Sequence, residues 1–109
     1  MSWLLLALAI VTEVMGTIAL KFSHGFTEPK ASAVVVIAYI ASFAFLGLSL
    51  KGIDLSIAYA IWAGVGTALI AIAGMTFFDE AMTTLKLVSI TLIVAGVVGL
   101  NLASRATGA

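Results

Sequence analysis

Glu13 is a carboxylate inside the apolar run Trp3–Leu20, and no Lys or Arg precedes it. A helix begun at Trp3 rises ~1.5 Å per residue, which sets Glu13 ~15 Å deep, near the middle of a ~30 Å hydrocarbon layer. An ionisable side chain at that depth costs ~2.5–3.5 kcal/mol or more to insert, and it is by default an ion or proton site. Helical spacing puts Leu6, Ala9, Ile10, Gly16, Thr17 and Leu20 on the same face. That face offers one hydroxyl, Thr17, and no base. Desolvation disfavours the bare anion. Glu13 is therefore expected to hold a proton or to accept a cation beside it. The plainer alternative is a permanently protonated acid bridging two helices.

Aromatic residues supply the second chemical element. Tyr59 and Trp62 lie three apart, and Tyr39 and Phe43 lie four apart with Ser42 beside them. A carboxylate flanked by ring faces suits a lipophilic organic cation, because each ring attracts positive charge by ~0.5–2 kcal/mol without demanding one shape. The same rings could instead serve as packing or as interfacial anchors, the role that fits Trp3.

Small residues supply the third. Gly64-Val65-Gly66 permits a bend or a close approach inside an apolar helix. Gly64 and Gly66 are read as a hinge. They are not a nucleotide loop, which would need a lysine and a third glycine. Ser89, Gly96 and Ala103 recur every seven residues, a stripe of small side chains that lets helices pack tightly in lipid. It is read as a dimer interface, with packing inside one protomer as the alternative. His24 lies in a polar stretch and reads as solvated. No paired carboxylates, nucleophile–base set or metal-ligand spacing is present, so neither an enzyme nor a metal or other cofactor is expected.

Four apolar segments must position these groups: Trp3–Leu20, Ala31–Leu50, Leu55–Phe78 and Thr84–Ala103. Each approaches the ~20 residues that span a bilayer as a helix. Strand-like alternation is absent, which argues against a β-barrel. The 109 residues are 63% hydrophobic, more apolar surface than a soluble domain this small could bury. The fold expected is therefore all-α and integral to the membrane, with residues 1–109 forming one four-helix transmembrane domain. Net charge is zero, which argues against nucleic acid as a partner, and the absence of cysteine excludes disulfides. A cleaved signal peptide is not expected, because no basic region precedes the first apolar segment and Glu13 interrupts it.

The loop charges are nearly balanced. With four spans, Lys51 and Arg105 fall on one side, and Lys21, Lys30 and Lys86 on the other. So small a bias allows insertion both ways up. Many transporters carry inverted repeats, and four helices leave no room for two such halves. An antiparallel homodimer would supply that symmetry.

Three stretches together resemble the small multidrug resistance family of proton-coupled exporters: Glu13-Val14-Met15-Gly16-Thr17, Lys21-Phe22-Ser23-His24-Gly25-Phe26-Thr27 and Ile57-Ala58-Tyr59-Ala60-Ile61-Trp62-Ala63-Gly64-Val65-Gly66. The resemblance covers essentially the whole chain. It implies a four-helix protomer, an antiparallel homodimer, and one site in which the two Glu13 carboxylates bind either protons or a cationic drug. It places Tyr59, Trp62, Tyr39 and Phe43 in the pocket and a bend at Gly64 and Gly66. The family's guanidinium-exporting branch usually has Trp three residues after the glutamate. Gly16 stands there, so the chain resembles the quaternary-ammonium branch. Asp54, Ser56 and Ser89 stand where the family commonly has proline, glycine and glycine. The function implied is proton-coupled antiport of lipophilic and quaternary-ammonium cations. Guanidinium export remains open, as does a subunit role with a sister chain, in a heterodimer or a non-transporting assembly.

Overall fold

The computed structural model describes residues 1–107. They form four helices: α1 (Ser2–Phe22), α2 (Pro29–Ser49), α3 (Leu55–Phe77) and α4 (Thr84–Thr107). Each is long and apolar enough to cross a membrane. These are the four apolar segments with their ends moved. Helix α2 starts early, at Pro29, because a missing N–H costs nothing in the first turn. Helix α3 stops at Phe77 because Phe78 leaves helical geometry, with φ −120°. Helix α4 continues past Ala103, which brings Arg105 into its last turn, where the helix dipole favours a cation.

Contacts between helices fix the topology. Ser2 Oγ lies against Gly52. Ser42 Oγ donates to the Ala9 carbonyl at 2.7 Å. Gly16 abuts Ala38 and Tyr39. Rising numbers on α1 thus meet falling numbers towards and along α2, so the two helices are antiparallel. Glu13 meets Gly66, while Thr17 and Lys21 share a cavity with Ile70 and Gly74, so α1 and α3 run the same way. Among the described residues, helix α4 packs against α3 alone.

The core lies where α1, α2 and α3 converge. Leu6, Ala9 and Ile10 meet Leu46, Ile53, Ile57, Ala58 and Ile61. Large apolar side chains such as Ile37, Ile40 and Leu92 face outward, as lipid allows, since its tails are as apolar as leucine. The chain is a slab, 45 × 35 × 16 Å.

Short loops hold the helix ends. Ser23 is buried; its Oγ donates to the Leu20 carbonyl at 2.7 Å and accepts from the Phe26 N–H at 3.1 Å. The second loop closes through bonds from Leu50, Lys51 and Gly52 N–H groups to the carbonyls three residues back. Asp54 serves as the N-cap of α3 through its backbone carbonyl, which accepts from Ala58, with no side-chain cap bond. The turn is therefore closed with aspartate at position 54. Ser56 is exposed in the first turn of α3.

Candidate functional site

Glu13 stands at mid-length on α1, partly buried between α1, α2 and α3. Its Oε1 accepts a hydrogen bond from Thr17 Oγ1, one turn on, at 2.8 Å. Thr17 Oγ1 is also 2.6 Å from the Tyr39 hydroxyl of α2. A threonine has one hydroxyl proton. With Glu13 ionised, Thr17 gives it to the carboxylate, and Tyr39 is then the donor in the second bond. A directed chain thus runs from Tyr39 to Thr17 to the carboxylate.

Glu13 Oε2 differs. It is buried and has no hydrogen-bond partner. It lies against Gly66, where an added Cβ would come within 2.8 Å of it. A buried anionic oxygen left unpaired is expensive, and a proton or an adjacent cation is the remedy. The acid also lines a cavity of about 320 Å³ with Thr17, Trp62, Ala63, Gly66, Thr67 and Ile70.

The rings gather around Trp62. Its centroid is 5.5 Å from that of Phe43 and 5.5 Å from that of Tyr59. Its indole N–H donates to Ser42 Oγ at 3.2 Å, and Ser42 in turn donates to Ala9, one turn before Glu13. Ser42 is fully buried and ties α1, α2 and α3 at one point. Phe43 is 59% and Tyr59 54% exposed, so the aromatic wall opens outward from the chain. Separations of 4.5–7 Å are the normal range for ring pairs, so the cluster is packed as well as available to a ligand.

The structure brings together all seven residues read as a proton and cation site. Glu13, Thr17 and Tyr39 form one hydrogen-bonded set, and Trp62, Ser42, Tyr59 and Phe43 form the other. The cavity at Glu13 and Trp62 joins them. The two hinge candidates have separate contacts. Helix α3 runs unbroken through both. Gly66 makes room for the Glu13 carboxylate, whereas Gly64 admits α4: a Cβ there would meet Val97 Cγ2 at 2.8 Å and Ile93 Cγ2 at 3.2 Å. Ser89, Gly96 and Ala103 are exposed on α4, and nothing lies within 4 Å of a Cβ added at Gly96.

Sequence reasoning missed two close approaches. Gly66 under Glu13 depends on the register of α3 against α1. Gly16 matters because a Cβ there would be 2.9 Å from two carbons of the Tyr39 ring. Any larger residue at position 16 must displace that ring from Thr17. The sequence signal was a glycine one turn from a lone acid, legible only once α2 is placed. Among the described residues no group of three or more His, Cys, Asp and Glu could hold a metal.

In the comparison to known sequences, residues 1–93 match the family described as Small Multidrug Resistance protein. The chain belongs to the small multidrug resistance family. It is a multi-pass protein of the cell membrane and not an enzyme. The multidrug resistance protein EbrB of Bacillus subtilis (strain 168) is 52% identical over 98 residues, covering 90% of this chain and 84% of EbrB. The quaternary ammonium compound-resistance protein QacE of Escherichia coli is 46% identical over 106 residues, covering 97% of this chain and 96% of QacE. A guanidinium exporter of Proteus vulgaris is 39% identical over 104 residues, covering 95% of this chain and 100% of that protein. The Glu13 site of this small multidrug resistance protein thus lies within the matched region.

Proposed function

We propose that this protein is a proton-coupled antiporter that exports lipophilic and quaternary-ammonium cations, with proton and cation competing for Glu13. The observation that carries this reading is the buried, unpartnered Glu13 Oε2 beside a cavity that Trp62 also lines. A proton on Glu13 removes the charge that would hold the cation. A bound cation removes the affinity for the proton. Resistance of the quaternary-ammonium type named for QacE supports the substrate class.

The working unit in this reading is an antiparallel homodimer. The open aromatic side of the slab and the exposed small-residue stripe of α4 support a second copy. Two Glu13 carboxylates would then share one cavity. Loaded with protons or with cation, the dimer changes access, and bending of α3 at Gly64 and Gly66 is the motion. Exchange of two protons for one monovalent cation moves one net charge, worth ~2.3 kcal/mol per 100 mV.

The test is a tetraphenylphosphonium titration of the purified protein in detergent across pH. Affinity is expected to rise with pH as Glu13 loses its proton and to fall as it is protonated. Glu13→Gln is expected to abolish both the binding and its pH dependence, and to abolish cation-driven proton flux in vesicles. A flat pH profile in the unaltered protein removes Glu13 as the shared site. The second reading, guanidinium export, is favoured by the 39% identity to a guanidinium exporter. Gly16 beneath Tyr39 favours the first. Uptake of guanidinium in preference to tetraphenylphosphonium would reverse that choice.

A further inference from the structure

A second cavity, of about 270 Å³, adjoins the one at Glu13, and Thr17 and Ile70 line both. The two form one groove between α1 and α3, running from Glu13 to the helix ends where Lys21, Phe78 and Glu80 lie. Glu80 is exposed as a residue, yet its carboxylate folds back onto Gly74 and fills the space a Cβ would take there. The backbone sets this up. The Phe78 and Glu80 N–H groups both donate to the Gly74 carbonyl at 3.1 Å, and Asp79 between them takes a left-handed φ of 54°. Only glycine at position 74 admits the carboxylate. The Phe78 ring pairs with Phe22 at 5.3 Å, and Lys21 Nζ stands 5.8 Å from the Phe78 centroid.

The end of the groove therefore repeats the composition of its middle: one carboxylate, an aromatic face and a cavity. It also already holds a cation over a ring. Resting on the antiporter reading, we propose that Glu80 and Phe78 form an outer station for a monovalent lipophilic organic cation, which replaces the Lys21 ammonium there before moving on to Glu13. Lys21 reaches from the last turn of α1 on a flexible stem, so its ammonium can withdraw to water at little cost. A lipophilic cation is weakly hydrated and gains more from the ring than the ammonium does. Glu80 is exposed, so it attracts without the desolvation that burdens Glu13. Its contribution is to capture rate, and that of Glu13 is to coupling.

The experiment is stopped-flow tryptophan fluorescence of tetraphenylphosphonium binding to the full chain in detergent, at low and high salt. Glu80→Gln is expected to lower the association rate at least about threefold at low salt and to flatten its salt dependence. The pH dependence of equilibrium binding is expected to stay. Gly74→Ala displaces the carboxylate while keeping its charge, so it is expected to slow association too, and it serves if Glu80→Gln does not fold. Glu28→Gln is the control for a diffuse field. It removes an exposed acid outside the groove, in a loop on the same side of a four-span chain, and is expected to leave the rate unchanged. Unchanged rates in both groove variants, or equal slowing by Glu28→Gln, overturn the outer station. Glu13-dependent binding in the unaltered chain with an unaltered Glu80→Gln rate removes the station alone. Absence of Glu13-dependent binding removes the antiporter reading and the station with it.

Discussion

Helices α1 and α4 are both long and apolar enough to span a membrane, yet the fold uses them differently. Helix α1 packs against α2 and α3 and buries Leu6, Ala9, Ile10, Gly16 and Ala19. Among the described residues, helix α4 touches α3 alone and is the least buried of the four. The acid sits on the enclosed helix, and the exposed small-residue stripe sits on the open one. An ionisable group in hydrocarbon needs protein around it, so Glu13 belongs where three helices meet. A stripe of small side chains needs only another helix to lie against. In the proposed reading, that difference would place the cation chemistry at α1–α3 and a second copy against the outward face of α4.

Two neighbouring glycines offer the strongest way to break that division. Gly66→Ala pushes a methyl towards Glu13 Oε2, the end of a flexible side chain, so the fold should survive while the carboxylate moves. Cation affinity is expected to fall about tenfold, or ~1.4 kcal/mol, in the binding titration. Gly64→Ala instead presses on Val97 and Ile93 of α4, so affinity should hold while α4 docks less tightly. If both variants leave affinity intact and slow transport alike, the two glycines act together as a bend, and their separate contacts are incidental.

The α4 side is tested next. Gly96→Leu adds bulk where a protomer has open space, so the monomer fold is expected to be unaffected. The dimer fraction should drop severalfold by cross-linking or light scattering in detergent. An unaltered dimer would move the assembly surface off α4.

The smallest effect is expected at Ser42. Ser42→Ala leaves the Trp62 N–H and the Ala9 carbonyl without their shared partner. Interhelical hydrogen bonds in membranes contribute roughly 0.6–1.7 kcal/mol, so stability should fall by about 1 kcal/mol in a detergent unfolding titration. Release of the indole should also change which cations bind. Loss of stability without any change in cation preference would make Ser42 a packing residue only.

Several features of this fold could be read along the chain. Four apolar runs near bilayer length give four helices, since only helices or closed barrels satisfy backbone groups in lipid. Glu13 stood out because an acid in such a run is costly and has no basic partner on its own helix face. Tyr59 with Trp62, and Tyr39 with Phe43, were visible as helical pairs. Their division into a hydroxyl relay and a ring cluster was not. It depends on the height at which α2 crosses α1, set by Ser42 on Ala9 and by Gly16 against Tyr39.

Local periodicity specifies which face of a helix carries a residue, and hydropathy specifies that the helix lies in lipid. Both are written within a few turns of chain, and they determined the four spans, the stranded acid and the small-residue stripe. Contacts between distant residues depend instead on helix register and crossing, which many weak contacts fix together. Tertiary structure alone therefore decided that Glu13 Oε2 rests on Gly66 without a partner, that Gly64 serves α4, and that Glu80 folds back onto Gly74 at the end of the same groove.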